Sequence, residues 1–180
     1  IAAMKHIVIL ISGGGSNMAA IVRAAEREDW ARRLGARVAA VVSNRADAGG
    51  LVLAREKGIA TEVLDHKTFA SREAFDAALA ERIDRHAPAL VVLAGFMRIL
   101  TPGFVARYSG RLLNIHPSLL PAFPGLDAQK QAFDAGAPVT GCTVHYVDEL
   151  LDHGEVILRR EVERRADDTV ESLSARILEQ

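Results

Sequence analysis

A single cysteine, Cys142, stands in the 180 residues of this chain. One thiol cannot close an internal disulfide, so the fold has to hold by packing, and a reducing, cytoplasmic setting is the natural expectation. A surplus of charge is missing as well. Lys plus Arg number 22 against 23 Asp plus Glu, a net charge of −1, without the basic excess that a nucleic-acid binder needs. No apolar run is long enough for a membrane span. "KHIVILIS" is followed by no small-residue cleavage site and makes a poor signal peptide, so Met4 reads as the natural start, with residues 1–3 an addition. Internal repeats, low-complexity tracts and interdomain linkers are absent too.

What is present is a globular composition, 49 % hydrophobic and 25 % charged, enough for the core of one domain of ordinary size over 1–180. Strand-like and helix-like patterns alternate through the first two-thirds of the chain. Residues 5–11 are a short β-branched run. Residues 17–28 have helical spacing, with Ser16 as their expected N-cap. Strands are expected at 36–43, 60–64, 89–95 and 111–116, and helices at 48–57 and 71–87, the latter opened by Ser71. Continuous apolar runs separated by helices call for a parallel sheet covered on both faces. Residues 139–147 and 155–163 read instead as an antiparallel pair, before a last helix near Thr169 with Asp167, Asp168 and Glu171 at its positive end. The expected fold is α/β, a single open and mostly parallel twisted sheet with an antiparallel extension.

"LISGGGSNMAA" places three glycines between the first strand and the first helix. Glycine admits an anion close to the backbone, the N–H groups of a helix start point at it, and Ser16 and Asn17 can add donors. A dinucleotide site asks for G-x-G-x-x-G and an acid near the end of the second strand. Gly13 and Gly15 supply the first two positions, but the third falls on Met18, and the second strand ends in Ser43-Asn44. The loop therefore reads as a cradle for a single phosphate, with a ligand-free tight turn as the alternative.

"RLLNIHPSLLPAFPG" sets Asn114 and His116 two apart at the end of a strand, so that they share one face. An amide and an imidazolium side by side can stabilise negative charge on a carbonyl oxygen. Pro117 and Pro121 would stiffen the loop after the strand. Asp152 lies in a later loop from which a carboxylate could turn back and favour the protonated ring. His145 could face the same site or pack in the core. His116, His145 and Asp152 match no compact metal-ligand spacing, so no metal is expected. Cys142 reads as a small buried residue with no base beside it.

Taken together, "ISGGGSN", "LAGFMRIL", "LLNIHPSLLPAFPG" and "GCTVHYVDELLDHG" resemble the folate-dependent formyltransferases, in order along essentially the whole chain. The lack of extra domains points within them to the branch acting on phosphoribosylglycinamide. The resemblance implies transfer of a formyl group from 10-formyltetrahydrofolate to the amine of that substrate in purine synthesis. Gly15, Ser16 and Asn17 match the substrate-phosphate loop. Arg72, Met97, Arg98, Ile99, Leu100 and Asn114 match positions around the folate, and Asn114, His116 and Asp152 match the catalytic trio. Read alone, Met97, Ile99 and Leu100 suggest core packing and Arg72 a solvated charge. His153, Glu155, Asp127 and Gln129 depart from the family pattern, and a family carboxylate on the last helix would fall beyond Gln180. The implied partners are small molecules, with no nucleic acid or membrane, acting on a monomer or homodimer. The alternatives are a formyl-folate hydrolase, a transferase for another amine, and a non-catalytic nucleotide-binding module.

Overall fold

A computed structural model describes residues 4–120, 122–125, 127–147, 154–165 and 167–178. The chain divides into two compact units, Ile1–Leu112 and Leu113–Gln180.

The first unit contains strands β1 (Lys5–Ile11), β2 (Ala36–Ser43), β3 (Ala60–Val63) and β4 (Pro88–Leu93). Around them lie helices α1 (Ser16–Arg27), α2 (Trp30–Arg33), α3 (Gly50–Glu56), α4 (Arg72–Asp84) and α5 (Pro102–Arg107). β1 runs parallel to both β2 and β4, and β2 parallel to β3. Two-sided burial explains the apolar runs: Val8, Ile9, Leu10 and Ile11 are fully buried, as are Val41 and Val42. Because β2 and β3 lie on one side of β1 and β4 on the other, the winding reverses between β1 and β4. In open α/β sheets the crevice beyond the strand ends at such a reversal is where ligands bind.

Helix α4 shows how local sequence sets an element. Ser71 Oγ accepts the N–H of Ala74 at 3.0 Å, a full N-cap without a reciprocal acid. Phe75, Leu79 and Ile83 then recur at helical spacing and are buried. At α1 the expected cap is corrected. Gly15, not Ser16, occupies the N-cap, in the left-handed region at φ 72° and without a side-chain bond, while Ser16 is the first helical residue. The sharp strand-to-helix turn needs a conformation that glycine alone adopts cheaply.

The second unit takes in β5 (Leu112–His116) from Leu113 onward, then α6 (Ala128–Asp134), β6 (Val139–Tyr146), β7 (Val156–Glu163) and α7 (Val170–Leu178). Just ahead of β5, Val91 N–H donates to Arg111 O at 2.8 Å. β6 pairs antiparallel with β5 and with β7. Leu173 and Ile177 of α7 pack with Val162, against Phe133 and Cys142. Cys142 is half-buried rather than buried, and its partial burial pushes the thiol up, which favours the protonated form. The full strand order is β3-β2-β1-β4-β5-β6-β7, the mostly parallel sheet with an antiparallel end expected from the sequence. No helix among the described residues is long and apolar enough to cross a membrane.

Asp84, at the end of α4, ties that helix to α5. It accepts from Arg107 Nε at 2.9 Å and from the Tyr108 hydroxyl at 2.7 Å. Burial acts to raise the Asp84 carboxyl, but the bonds from Arg107 and Tyr108 and the nearby Arg107 and Arg111 charges outweigh it and hold it below its ordinary value. A lowered carboxyl stabilises the fold above its ordinary titration range, and that contribution disappears as pH falls through the folded value. Asp84→Asn should therefore cost about 1 kcal/mol at neutral pH for a partly exposed charged hydrogen-bond centre. Thermal unfolding should show this difference from the unaltered protein at neutral pH and its loss in strong acid. A difference that is unchanged by acid would contradict the assignment.

Candidate functional site

β1 ends at Ile11, and Ser12 to Gly15 carry the chain into α1. The three glycines of this loop do different work. A Cβ on Gly15 would lie 3.0 Å from the Gly50 Cα, in addition to the φ of +72°. A Cβ on Gly50 would in turn come within 2.6 Å of Ile11 Cδ1, and Gly50 N–H donates to Gly13 O at 3.2 Å. Here the start of α3 is pressed against the loop backbone to backbone. Gly13 and Gly14 are exposed, and a Cβ on either would meet nothing within 4 Å. The loop is thus closed on one side by the fold and open on the other. Ser16 is exposed and Asn17 half-buried at the start of α1, whose first turn carries no acid to neutralise its positive end. That arrangement suits an anion.

Ser12 is 4 % exposed and bonded on every side. Its hydroxyl donates to Asn44 Oδ1 at 2.6 Å and accepts Met97 N–H at 2.8 Å, while its own N–H donates to Gly95 O at 3.1 Å. Asn44 Nδ2 donates to His66 Nδ1 at 3.3 Å. The stretch after β4 is therefore drawn to the end of β1. Met97 and Ile99 are 66 % and 62 % exposed and Leu100 is half-buried, so the core packing that these residues suggest alone is not found. Exposed apolar side chains beside a ligand crevice are suited to a flat ring instead. Arg98 lays its guanidinium over the Phe75 ring at 5.1 Å. Its Nε is buried and has no hydrogen-bond partner among the described residues. Arg72 is exposed at the start of α4, one turn before Phe75.

In the second unit Asn114 and His116 lie on one face at the carboxyl end of β5, opposite His145 and Thr143. His116 is 4 % exposed and its Nε2 donates to Phe123 O at 2.8 Å. Asn114 Nδ2 approaches His145 Nε2 at 3.5 Å, and His145 Nδ1 donates to Tyr146 O at 2.8 Å. That second bond puts a proton on Nδ1, and in the neutral ring Nε2 is then an acceptor facing the Asn114 amide. His145 is thus both buried and turned to the pair. The loop after β5 is held by groups that sequence reasoning did not find. Thr143 Oγ1 donates to Ser118 O at 2.6 Å and accepts Leu120 N–H at 3.1 Å. Ser118 Oγ donates to Ala122 O at 2.6 Å, and Arg159 Nη2 to Leu120 O at 2.7 Å. Pro121, Asp152 and His153 lie outside the described residues. Among the described residues no group of His, Cys, Asp and Glu could hold a metal ion.

The architecture is that of an open α/β protein with a glycine loop and an exposed apolar segment at its topological switch point, and an amide–imidazole pair at a further strand end. The chain belongs to the formyl transferase family, which it matches over residues 5–180. It is 51 % identical to phosphoribosylglycinamide formyltransferase of Escherichia coli (strain K12) over 172 residues, 96 % of this chain and 79 % of that protein. It is 45 % identical to the trifunctional purine biosynthetic protein adenosine-3 of Bos taurus, matching 96 % of this chain but 17 % of that longer protein. Its fold is similar to that of glycinamide ribonucleotide transformylase 1 from Symbiobacterium toebii, with a TM-score of 0.92 and 48 % identity over 98 % of this chain and 81 % of that one.

The loop yields a test of the division of labour among its glycines. Gly15→Ala should destabilise the protein by about 1–3 kcal/mol, the cost of a strained left-handed residue pressed on a neighbouring backbone. Gly14→Ala should leave the denaturant midpoint essentially unchanged while weakening the affinity for inorganic phosphate. Equal losses of stability in the two variants would refute the distinction.

Proposed function

We propose that this chain transfers the formyl group of 10-formyltetrahydrofolate to the primary amine of 5'-phosphoribosylglycinamide, giving formylglycinamide ribonucleotide and tetrahydrofolate in de novo purine synthesis. The observation that carries this reading is the Asn114–His116 pair at the end of β5, its amide oriented by His145 and its ring held by Phe123 O, in a chain of the formyl transferase family. The names of the similar proteins support it. The whole chain acts as one formyltransferase domain on small molecules in the cytoplasm, as a monomer or homodimer, without metal or nucleic acid.

Gly15, Ser16 and Asn17 hold the phosphate of the acceptor substrate. Met97, Ile99 and Leu100 wall the heterocycle of the folate, Arg72 and Arg98 contact its polar end, and Arg98 Nε, without a partner among the described residues, is a donor suited to an anionic or carbonyl group there. Binding both reactants removes much of the entropic barrier to a bimolecular attack. The neutral amine attacks the formyl carbon, and the carbonyl electron pair moves to oxygen. Asn114 and His116 donate to that oxyanion. When the oxyanion collapses, the bond from the formyl carbon to the folate nitrogen breaks. The proton lost by the attacking amine ends on that departing nitrogen, moved by Asp152 directly or through water. No covalent enzyme intermediate is formed.

Purified protein mixed with phosphoribosylglycinamide and 10-formyltetrahydrofolate should release tetrahydrofolate only when the amine is present. Release without the amine would mark a hydrolase instead. His116→Asn should lower kcat by about 10²–10³, the usual cost of an oxyanion donor, with both KM values little changed. Asp152→Asn should cripple turnover while leaving the affinity for the phosphate-bearing substrate intact. A variant at either position with near-normal kcat would remove that residue from the mechanism.

A further inference from the structure

We infer that Ser12 and Asp76 are positioning residues for the formyl-folate, two buried side chains that pin the backbone on either side of Arg98, Ile99 and Leu100. The inference rests on the proposed function, which gives this segment to the folate. Between the end of β4 and the start of α5 the chain has no regular secondary structure. Among the described residues, the N–H groups of Arg98, Ile99 and Leu100 and the carbonyls of Met97 to Leu100 have no hydrogen-bond partners. Open backbone donors and acceptors suit the alternating polar edge of a heterocycle, but they do not fix their own shape. A segment that the ligand itself had to order would bind more weakly, since the ordering entropy would be charged to binding.

The shape is imposed from outside, at both ends. At one end Ser12 Oγ accepts Met97 N–H at 2.8 Å. Its proton is committed to Asn44 Oδ1 at 2.6 Å, so a lone pair is left to face Met97, and the His66 bond to Asn44 Nδ2 at 3.3 Å keeps that amide from turning over. At the other end Asp76 Oδ2 accepts Thr101 N–H at 2.7 Å. Thr101 is the N-cap of α5, its hydroxyl accepting Phe104 N–H at 3.3 Å, so this bond also seats that helix. Both clamping side chains are 4 % exposed, within the same unit of the fold. A carboxylate kept at 4 % exposure with its second oxygen unpartnered among the described residues is costly to retain, and the position of Thr101 is what it secures. Neither residue reaches the reacting atoms; they act through the backbone they hold.

The test is a comparison of Ser12→Ala, Asp76→Ala and Asp76→Asn with the unaltered protein in steady-state formyl transfer. Loss of either clamp should raise KM for the formyl-folate about tenfold, while kcat and KM for phosphoribosylglycinamide stay within about twofold. Asp76→Asn keeps an acceptor oxygen for Thr101 N–H and should restore most of the affinity lost in Asp76→Ala. Ser12→Ala supplies an independent arm should Asp76→Ala fail to fold. With turnover intact in the unaltered protein, an unchanged folate KM in the variants overturns the positioning role, as does a joint shift of kcat and both KM values. Absence of turnover in the unaltered protein strikes the proposed function instead.

Discussion

The hydroxyl of Ser12 joins three segments that are far apart in sequence. It closes β1, receives the backbone of the stretch after β4, and donates to the residue just past the end of β2. A buried hydroxyl with one unsatisfied role costs about 1–3 kcal/mol, so its two bonds are both required and neither is ornamental. The glycine loop begins at the next residue. The glycine loop after β1 and the exposed apolar segment after β4 therefore meet at one residue. Parallel pairing of β1 with β4 supplies the closeness, and the hydroxyl converts closeness into a fixed relation. An alanine there would keep the sheet and the glycine loop and release the backbone of the stretch after β4.

Much of the fold could be read from residues alone because burial on both faces leaves a plain trace. Runs such as "IVILI" and "AAVVS" have no polar interruption, and in a chain of alternating elements that means parallel strands between helix layers. The antiparallel pair at the end was equally readable, since β6 alternates and β7 comes after it across a loop. Among the short helices α3 was expected at 48–57, but α5 and α6 were not. α5 and α6 span six and seven residues, too few for periodicity to rise above chance. α5 did carry a local sign, Thr101 followed by Pro102 at the first helical position. α6 carried none: Asp127 at its start takes φ 53° and makes no side-chain cap.

The site divides along the same line. Asn114 and His116 were readable because a strand's period of two puts both on one face. The exposure of Met97 and Ile99 was not, since an apolar residue after a buried strand looks like more core. The supporting shell was hidden for a simpler reason. Ser12 and Met97 are 85 residues apart, Asp76 and Thr101 are 25 apart, and Thr143 meets Ser118 across 25. Hydroxyls and carboxylates are ordinary residues anywhere in a sequence, and only the fold tells which ones become buried acceptors for a distant N–H. The glycines show the same limit in miniature. All three look alike in "GGG", yet packing demands one and leaves two against open space.

Asn44 shows how one residue type steers the choice of ligand. In dinucleotide-binding sheets a carboxylate near the end of the second strand holds a ribose. Here an amide stands at that point, 4 % exposed, and both of its ends face inward, the oxygen to Ser12 and the nitrogen to His66. A carboxylate could accept the Ser12 proton but could not donate to an unprotonated His66 Nδ1. It would also place a buried negative charge beside the residue that opens the glycine loop, where it would oppose a phosphate. The neutral amide avoids both conflicts. A position that could have reached out to a second half of a nucleotide is used instead as an internal brace, and the first turn of α1 carries no acid to neutralise its positive end. At this position the buried side chain serves the protein's own strand ends, and nothing of it is left to face outward.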